Sequence, residues 1–107
     1  MISIIINYLF ILGCISSFSD PQGLSPSLGI STNLLAQDGI WATFGVHPHH
    51  AKDFNAKMEE NLRNNLRNPK AVGVGECGLD YSLRSASHVD VQKEVFLKHI
   101  QLAKVSE

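Results

Sequence analysis

Two short stretches of this sequence gather side chains that do chemistry, His47-Pro48-His49-His50 and Glu76-Cys77-Gly78-Leu79-Asp80. Imidazoles and carboxylates together can hold a divalent cation or position a phosphate. Each motif also has a plainer reading. Histidines two apart on a strand point the same way and can chelate zinc, but Pro48 interrupts the strand, which leaves a turn with solvated imidazoles open. The carboxylates of Glu76 and Asp80 flank Gly78 and suit a hard cation, although loops carry solvated carboxylates routinely. Cys77 reads as a small buried thiol before it reads as a soft ligand. His88 and His99 receive no role. Residues 73–78 formally match G-x-G-x-x-G, but the fourth position is Glu and no helix opens directly behind it, so a phosphate-cradling loop is set aside.

The elements that must position these groups follow from periodicity. Residues 40–46 are apolar, aromatic and β-branched and are stopped by Pro48, which predicts a strand. Residues 70–75 predict a second short strand whose small side chains suit a crowded sheet. Each strand ends in an ionisable group, His47 or Glu76, and the carboxyl ends of strands are where sites assemble in parallel α/β folds. Between them, Phe54, Met58, Leu62 and Leu66 recur every four residues, which predicts an amphipathic helix over 53–68, capped by Asp53 or Asn55 and ended at Asn68-Pro69. A loop over 78–85 leads to a last helix from about residue 87, where Ser87 with Asp90 resembles a capping box and Gln92, Phe96, Ile100 and Ala103 share a face.

Earlier in the chain, residues 2–15 form an apolar, isoleucine-rich run. It lacks the basic start of an export signal, Asn7 and Gly13 interrupt it, and it is too short to span a bilayer, so a buried strand is expected. Residues 16–31 turn to Ser, Gly and Pro and predict a loop. Residues 32–37 suit a short helix that Asp38-Gly39 ends. After the first strand the order is strand, helix, strand, helix, the pattern of an α/β fold with a parallel sheet, either open or closed into a barrel. Both arrangements put His47 and Glu76 on one rim.

Composition bounds the rest. A chain of 107 residues makes at most one small domain. Nine Lys and Arg against ten Asp and Glu leave no basic excess, so any nucleic-acid contact must be local. Two cysteines are too few for a disulfide framework and fit free thiols in an intracellular protein of the cytoplasm or nucleus, not a secreted one.

Phe44-Gly45-Val46-His47-Pro48-His49, followed by Gly75-Glu76-Cys77-Gly78-Leu79-Asp80-Tyr81, resembles the TatD family of metal-dependent deoxyribonucleases, in particular its metazoan TatD-domain-containing members. Asn68-Pro69-Lys70-Ala71-Val72, Phe18-Ser19-Asp20-Pro21 and the Gln92, Phe96, Gln101-Leu102-Ala103 pattern are similar as well, so the resemblance runs from about Leu12 onward. It implies a TIM (β/α)8 barrel of metal-dependent hydrolase type that cleaves phosphodiester bonds in DNA, single strands or 3′ ends, without a membrane or an obligate protein partner. It implies Glu76 as a metal ligand, with two divalent ions per complete site, Mg2+ ahead of Zn2+ or Mn2+. By the same resemblance His47 and His49 would lie by the site and contact substrate phosphate, or the groups that surround the metal's ligands, in preference to the metal itself, and Asp80, Tyr81 and Arg84 would lie on the loop that meets the nucleic acid. Family members open on a His-x-His pair and complete the metal site with further histidines and an aspartate, none of which has a counterpart in these residues. A whole barrel takes about 250 residues. The expectation is therefore a partial hydrolase domain over 1–107, early strands and helices only, inactive by itself. A small-molecule amidohydrolase and a non-catalytic binding module are the alternatives.

Overall fold

A computed structural model describes residues 2–3, 13–82 and 87–105. Its frame is a four-stranded sheet of strands β1 (Ile2–Ser3), β2 (Cys14–Phe18), β3 (Ile40–Phe44) and β4 (Ala71–Val74), lying in that order. Strands β2, β3 and β4 are parallel, as the alternating pattern predicts. Strand β1 pairs antiparallel to β2, so the sheet is mixed. Of the apolar run over 2–15, residues 4–12 lie outside the described part, and the strand itself falls later than expected, at Cys14–Phe18.

Residues 16–31 are the clearest departure from the sequence reading. Instead of a loop they finish β2 and then form helix α1 (Pro21–Leu24), a 3-10 turn at Pro26–Leu28 and the start of helix α2 (Ile30–Leu35). The side chains of β2 alternate in burial: Ser16 and Phe18 point inward, and Phe18 stacks on Phe44 with ring centroids 5.4 Å apart. Pro21 opens α1 because a proline lacks only an N–H that the first turn would leave unpaired anyway. Asp20 caps it, accepting from Gly23 N–H at 2.5 Å.

Helix α3 (Ala56–Leu66) is shorter than its apolar stripe suggests and is capped by Asn55, whose Oδ1 accepts from Met58 N–H at 2.8 Å. Helix α4 (Val89–Val105) packs on the same side of the sheet. It buries Gln92, Val95, His99 and Leu102, while Ile100 is 40% exposed, so its inner stripe is rotated from the one the sequence suggested. The core joins Phe18, Leu24, Leu35, Ala42, Phe44, Val46, Met58, Leu62, Val95 and Leu102 between sheet and helices. Among the described residues, no helix is long and apolar enough to cross a membrane.

Candidate functional site on the rim of the parallel strands

The three parallel strands are stitched together beyond their formal ends. Gly45 N–H donates to Phe18 O at 3.1 Å, His47 N–H to Ser19 O at 2.9 Å and Gly75 N–H to Phe44 O at 2.9 Å. These bonds bring Ser19, His47 and Glu76 to one carboxyl-end rim, where parallel sheets build their sites. The side chain of Glu76 is exposed, and its Oε1 accepts from the buried Ser19 hydroxyl at 3.3 Å. Gly45 makes the approach possible: a Cβ on it would sit 2.7 Å from the Gly75 carbonyl carbon and 2.9 Å from Gly75 Cα.

The histidine motif folds into a 3-10 helix, Pro48–Asp53, with His47 as its cap. This turn answers the question Pro48 raised, because it swings His49 back toward His47 instead of away. The two rings meet edge to face with centroids 4.4 Å apart. His47 Nδ1 accepts from the His49 backbone N–H at 3.1 Å. An accepting Nδ1 carries no proton, so the neutral ring holds its hydrogen on Nε2. Burial, then the neighbouring His49, lowers the pKa of His47, while the charge of Glu76 pulls the other way.

His49 Nε2 is paired with the Asp80 carboxylate. Asp80 also accepts from Ser82 N–H through Oδ1 at 2.8 Å. Hydrogen bonds from the Ser82 side chain and backbone, and then from His49, hold its pKa at about 2, so it is a carboxylate at any physiological pH. Cys77 is half-buried, with its Sγ 3.9 Å from Val74 O, and burial pushes its pKa up. That is the inert thiol reading, not a thiolate ligand. Tyr81 stands 59% exposed beside the cluster, and Arg84 lies outside the described residues. Residues 76–82, directly behind Gly75, are non-helical, so the G-x-G-x-x-G match has no helix N-terminus behind it.

Three rim residues escaped the sequence reading. Ser19 was hidden in the supposed loop. His99 is 1% exposed, and its Nε2 accepts from the Val46 backbone N–H at 2.8 Å while Nδ1–H donates to Val95 O at 2.8 Å. Burial lowers its pKa and keeps it neutral. Gln92, also 1% exposed, holds the Asp80 backbone. The signal available for both was a polar residue on an apolar helix stripe.

Among the described residues no three His, Cys, Asp or Glu side chains converge as a metal ion requires. Glu76 is therefore at most one ligand, and this stretch does not make a metal site by itself.

A family model described as TatD related DNase matches residues 11–107. The match leaves the antiparallel β1 outside it. A human protein named 3'-5' RNA nuclease TATDN2 is 46% identical over 91 residues, covering 85% of this chain and 12% of the relative. The 3'-5' ssDNA/RNA exonuclease TatD of Rahnella sp. (strain Y9602) is 43% identical over 67 residues, 63% of this chain and 25% of that protein. Its namesake in Pantoea ananatis (strain LMG 20103) is 38% identical over 71 residues, 66% and 26% respectively. The chain thus spans only a small part, from about an eighth to a quarter, of the length of these relatives.

Proposed function

The chain belongs to the TatD-related DNase family, and from that premise we propose that the protein carrying it is a metal-dependent nuclease that removes nucleotides from the 3′ end of DNA or RNA strands. Members of this family are metal-dependent and share a TIM-barrel fold, of which β2, β3, β4 and their helices form a part. The observation that carries the reading is the rim itself. A parallel sheet brings a carboxylate, two imidazoles and a second carboxylate to the carboxyl ends of adjacent strands, on the motifs that match the family.

In this reading Glu76 is one ligand of a divalent centre completed by residues outside the described part, with Mg2+ favoured for an oxygen donor and two ions in the complete site. Such ions, when bound, activate water and neutralise the leaving oxygen of a phosphodiester. The residues of this chain have their own tasks. Ser19 fixes one oxygen of Glu76, so the orientation of the carboxylate is set before any ion arrives. His47, neutral and with its proton on Nε2, offers a hydrogen bond to a substrate phosphate oxygen. His49, braced by Asp80, packs against the His47 ring and fixes its plane. Tyr81 is exposed enough to stack on an unpaired base, and Arg84 suits a phosphate oxygen on the same loop. The same reading puts the protein inside the cell, acting on nucleic acid.

The test is direct. The full-length protein is incubated with 5′-labelled single-stranded DNA, with RNA of the same sequence and with small ester and amide substrates, each with and without a chelator. Shortening of the strands from the 3′ end, abolished by chelation, is expected. Turnover confined to the small substrates would replace the nuclease reading with a small-molecule hydrolase.

A further inference from the structure

Helix α4 contributes two buried polar side chains to the rim from behind, and neither belongs to the site's own motifs. Gln92 and His99 are seven residues apart, two helical turns, and so lie on one face. Each is spent on the backbone of a site residue or its neighbour. His99 holds the N–H of Val46, the residue before His47. Gln92 does more: its Oε1 accepts from Asp80 N–H at 2.7 Å and its Nε2 donates to Asp80 O at 2.9 Å. The same Nε2 donates to Ser87 O at 2.9 Å. Ser87 in turn donates from its hydroxyl to His49 O at 3.3 Å and accepts Lys52 N–H at 2.9 Å. One amide therefore ties together the backbones on both sides of the His49–Asp80 contact.

We propose that Gln92 is a positioning residue of this site, holding Asp80 by both of its backbone groups so that its carboxylate stays on His49 and keeps the His47–His49 pair aligned toward the substrate. The alignment toward substrate rests on the nuclease reading above; the hold on Asp80 does not. A buried amide with its donors and acceptor all directed at one loop fits this role for a physical reason. Leaving any of these groups unpaired in the interior is costly, so the Asp80 backbone has one strongly preferred position. Among the described residues around Asp80, Leu79, Tyr81 and Ser82 are exposed.

The test reads the Asp80 carboxyl by NMR in the full chain. In the unaltered chain, with Ser82 and His49 bonded to it, a midpoint of about 2 is expected. In Gln92→Met, which keeps the shape and removes the amide, the midpoint is expected to move up toward the ordinary 3.8 as the contacts to Ser82 and His49 loosen. The control is Leu66→Ala, a destabilising change remote from Asp80, at the end of α3 where Leu66 packs against the core. It is expected to leave the Asp80 midpoint in place. An equal shift in both variants, or no shift in Gln92→Met, overturns the proposal. If Gln92→Met does not fold, amide hydrogen exchange on the unaltered chain decides. Slow exchange at Asp80 beside fast exchange at Tyr81 supports the hold, and equally fast exchange at both overturns it. None of these measurements involves cleavage, so a failed nuclease assay and a failed hold on Asp80 are separate results.

Discussion

The two halves of the rim are built in opposite ways. The His47–His49–Asp80 half is held from below by the buried side chains of α4 and from within by its own 3-10 turn, through bonds to at least five backbone groups. The Glu76 half is an exposed carboxylate just past the end of β4, touched by one serine hydroxyl at 3.3 Å. The difference teaches where each half gets its order. The two histidines are preorganised by this stretch of chain, while in the proposed function the carboxylate takes its further partners from the metal centre. In physical terms, one half is paid for in folding and the other in ligand binding.

The strongest way to break that contrast is Gly45→Ala. The added Cβ meets the Gly75 backbone at 2.7 Å, where nothing flexible can give. A loss of about 3 kcal/mol is expected by chemical denaturation, at the upper end for an overpacked site. The displacement should fall on Glu76 and spare the His49–Asp80 pair, which NMR signals of the His49 ring will report.

Next in size is the replacement His99→Leu, which leaves the Val46 N–H without its acceptor and should cost about 1–3 kcal/mol. It also tests the acid side of the stability curve. Burial lowers the pKa of His99, and of His47, below the ordinary 6.5. The unfolded chain therefore takes up these protons first as pH falls. Stability is full above pH 6.5 and declines as pH drops from there through the folded-state pKa values. His99→Leu should flatten part of that decline, leaving the part due to His47. An unchanged slope would show that His99 is not held neutral.

The smallest effect belongs to Ser19→Ala. The bond it removes is long and its acceptor is exposed, so a change of about 0.5 kcal/mol or less is expected in denaturant melts. A loss as large as that of His99→Leu would mean that the Glu76 half is as tightly built as the other.

Much of this arrangement was legible in the sequence. Strand β3 and helix α3 follow from local pattern, Pro48 marked where the strand had to stop, and His47 and Glu76 could be put on one rim from strand order alone. What was not legible depended on tertiary contacts. Ser16 and Ser17 have loop-like composition, yet pairing with β3 makes them strand, through contacts such as Thr43 Oγ1 donating to Ser17 Oγ at 2.9 Å. Gln92 was placed on the inner face of α4, but the rest of that face was misjudged because the buried His99 is polar and periodicity weighs only apolar residues. The approach of His49 to His47 needed the 3-10 turn, whose geometry a single proline does not specify.

The most direct measurement is 3′-end cleavage of labelled single-stranded DNA or RNA by the full-length protein carrying Glu76→Gln. Loss of even an outer partner of a catalytic metal costs about 10- to 100-fold, so removal of a ligand should lower cleavage on the order of 100-fold or more. The melting temperature should barely move, because the side chain is exposed. Cleavage at the unaltered rate by a folded Glu76→Gln protein would contradict the assignment of this rim as the metal-binding edge of a nuclease.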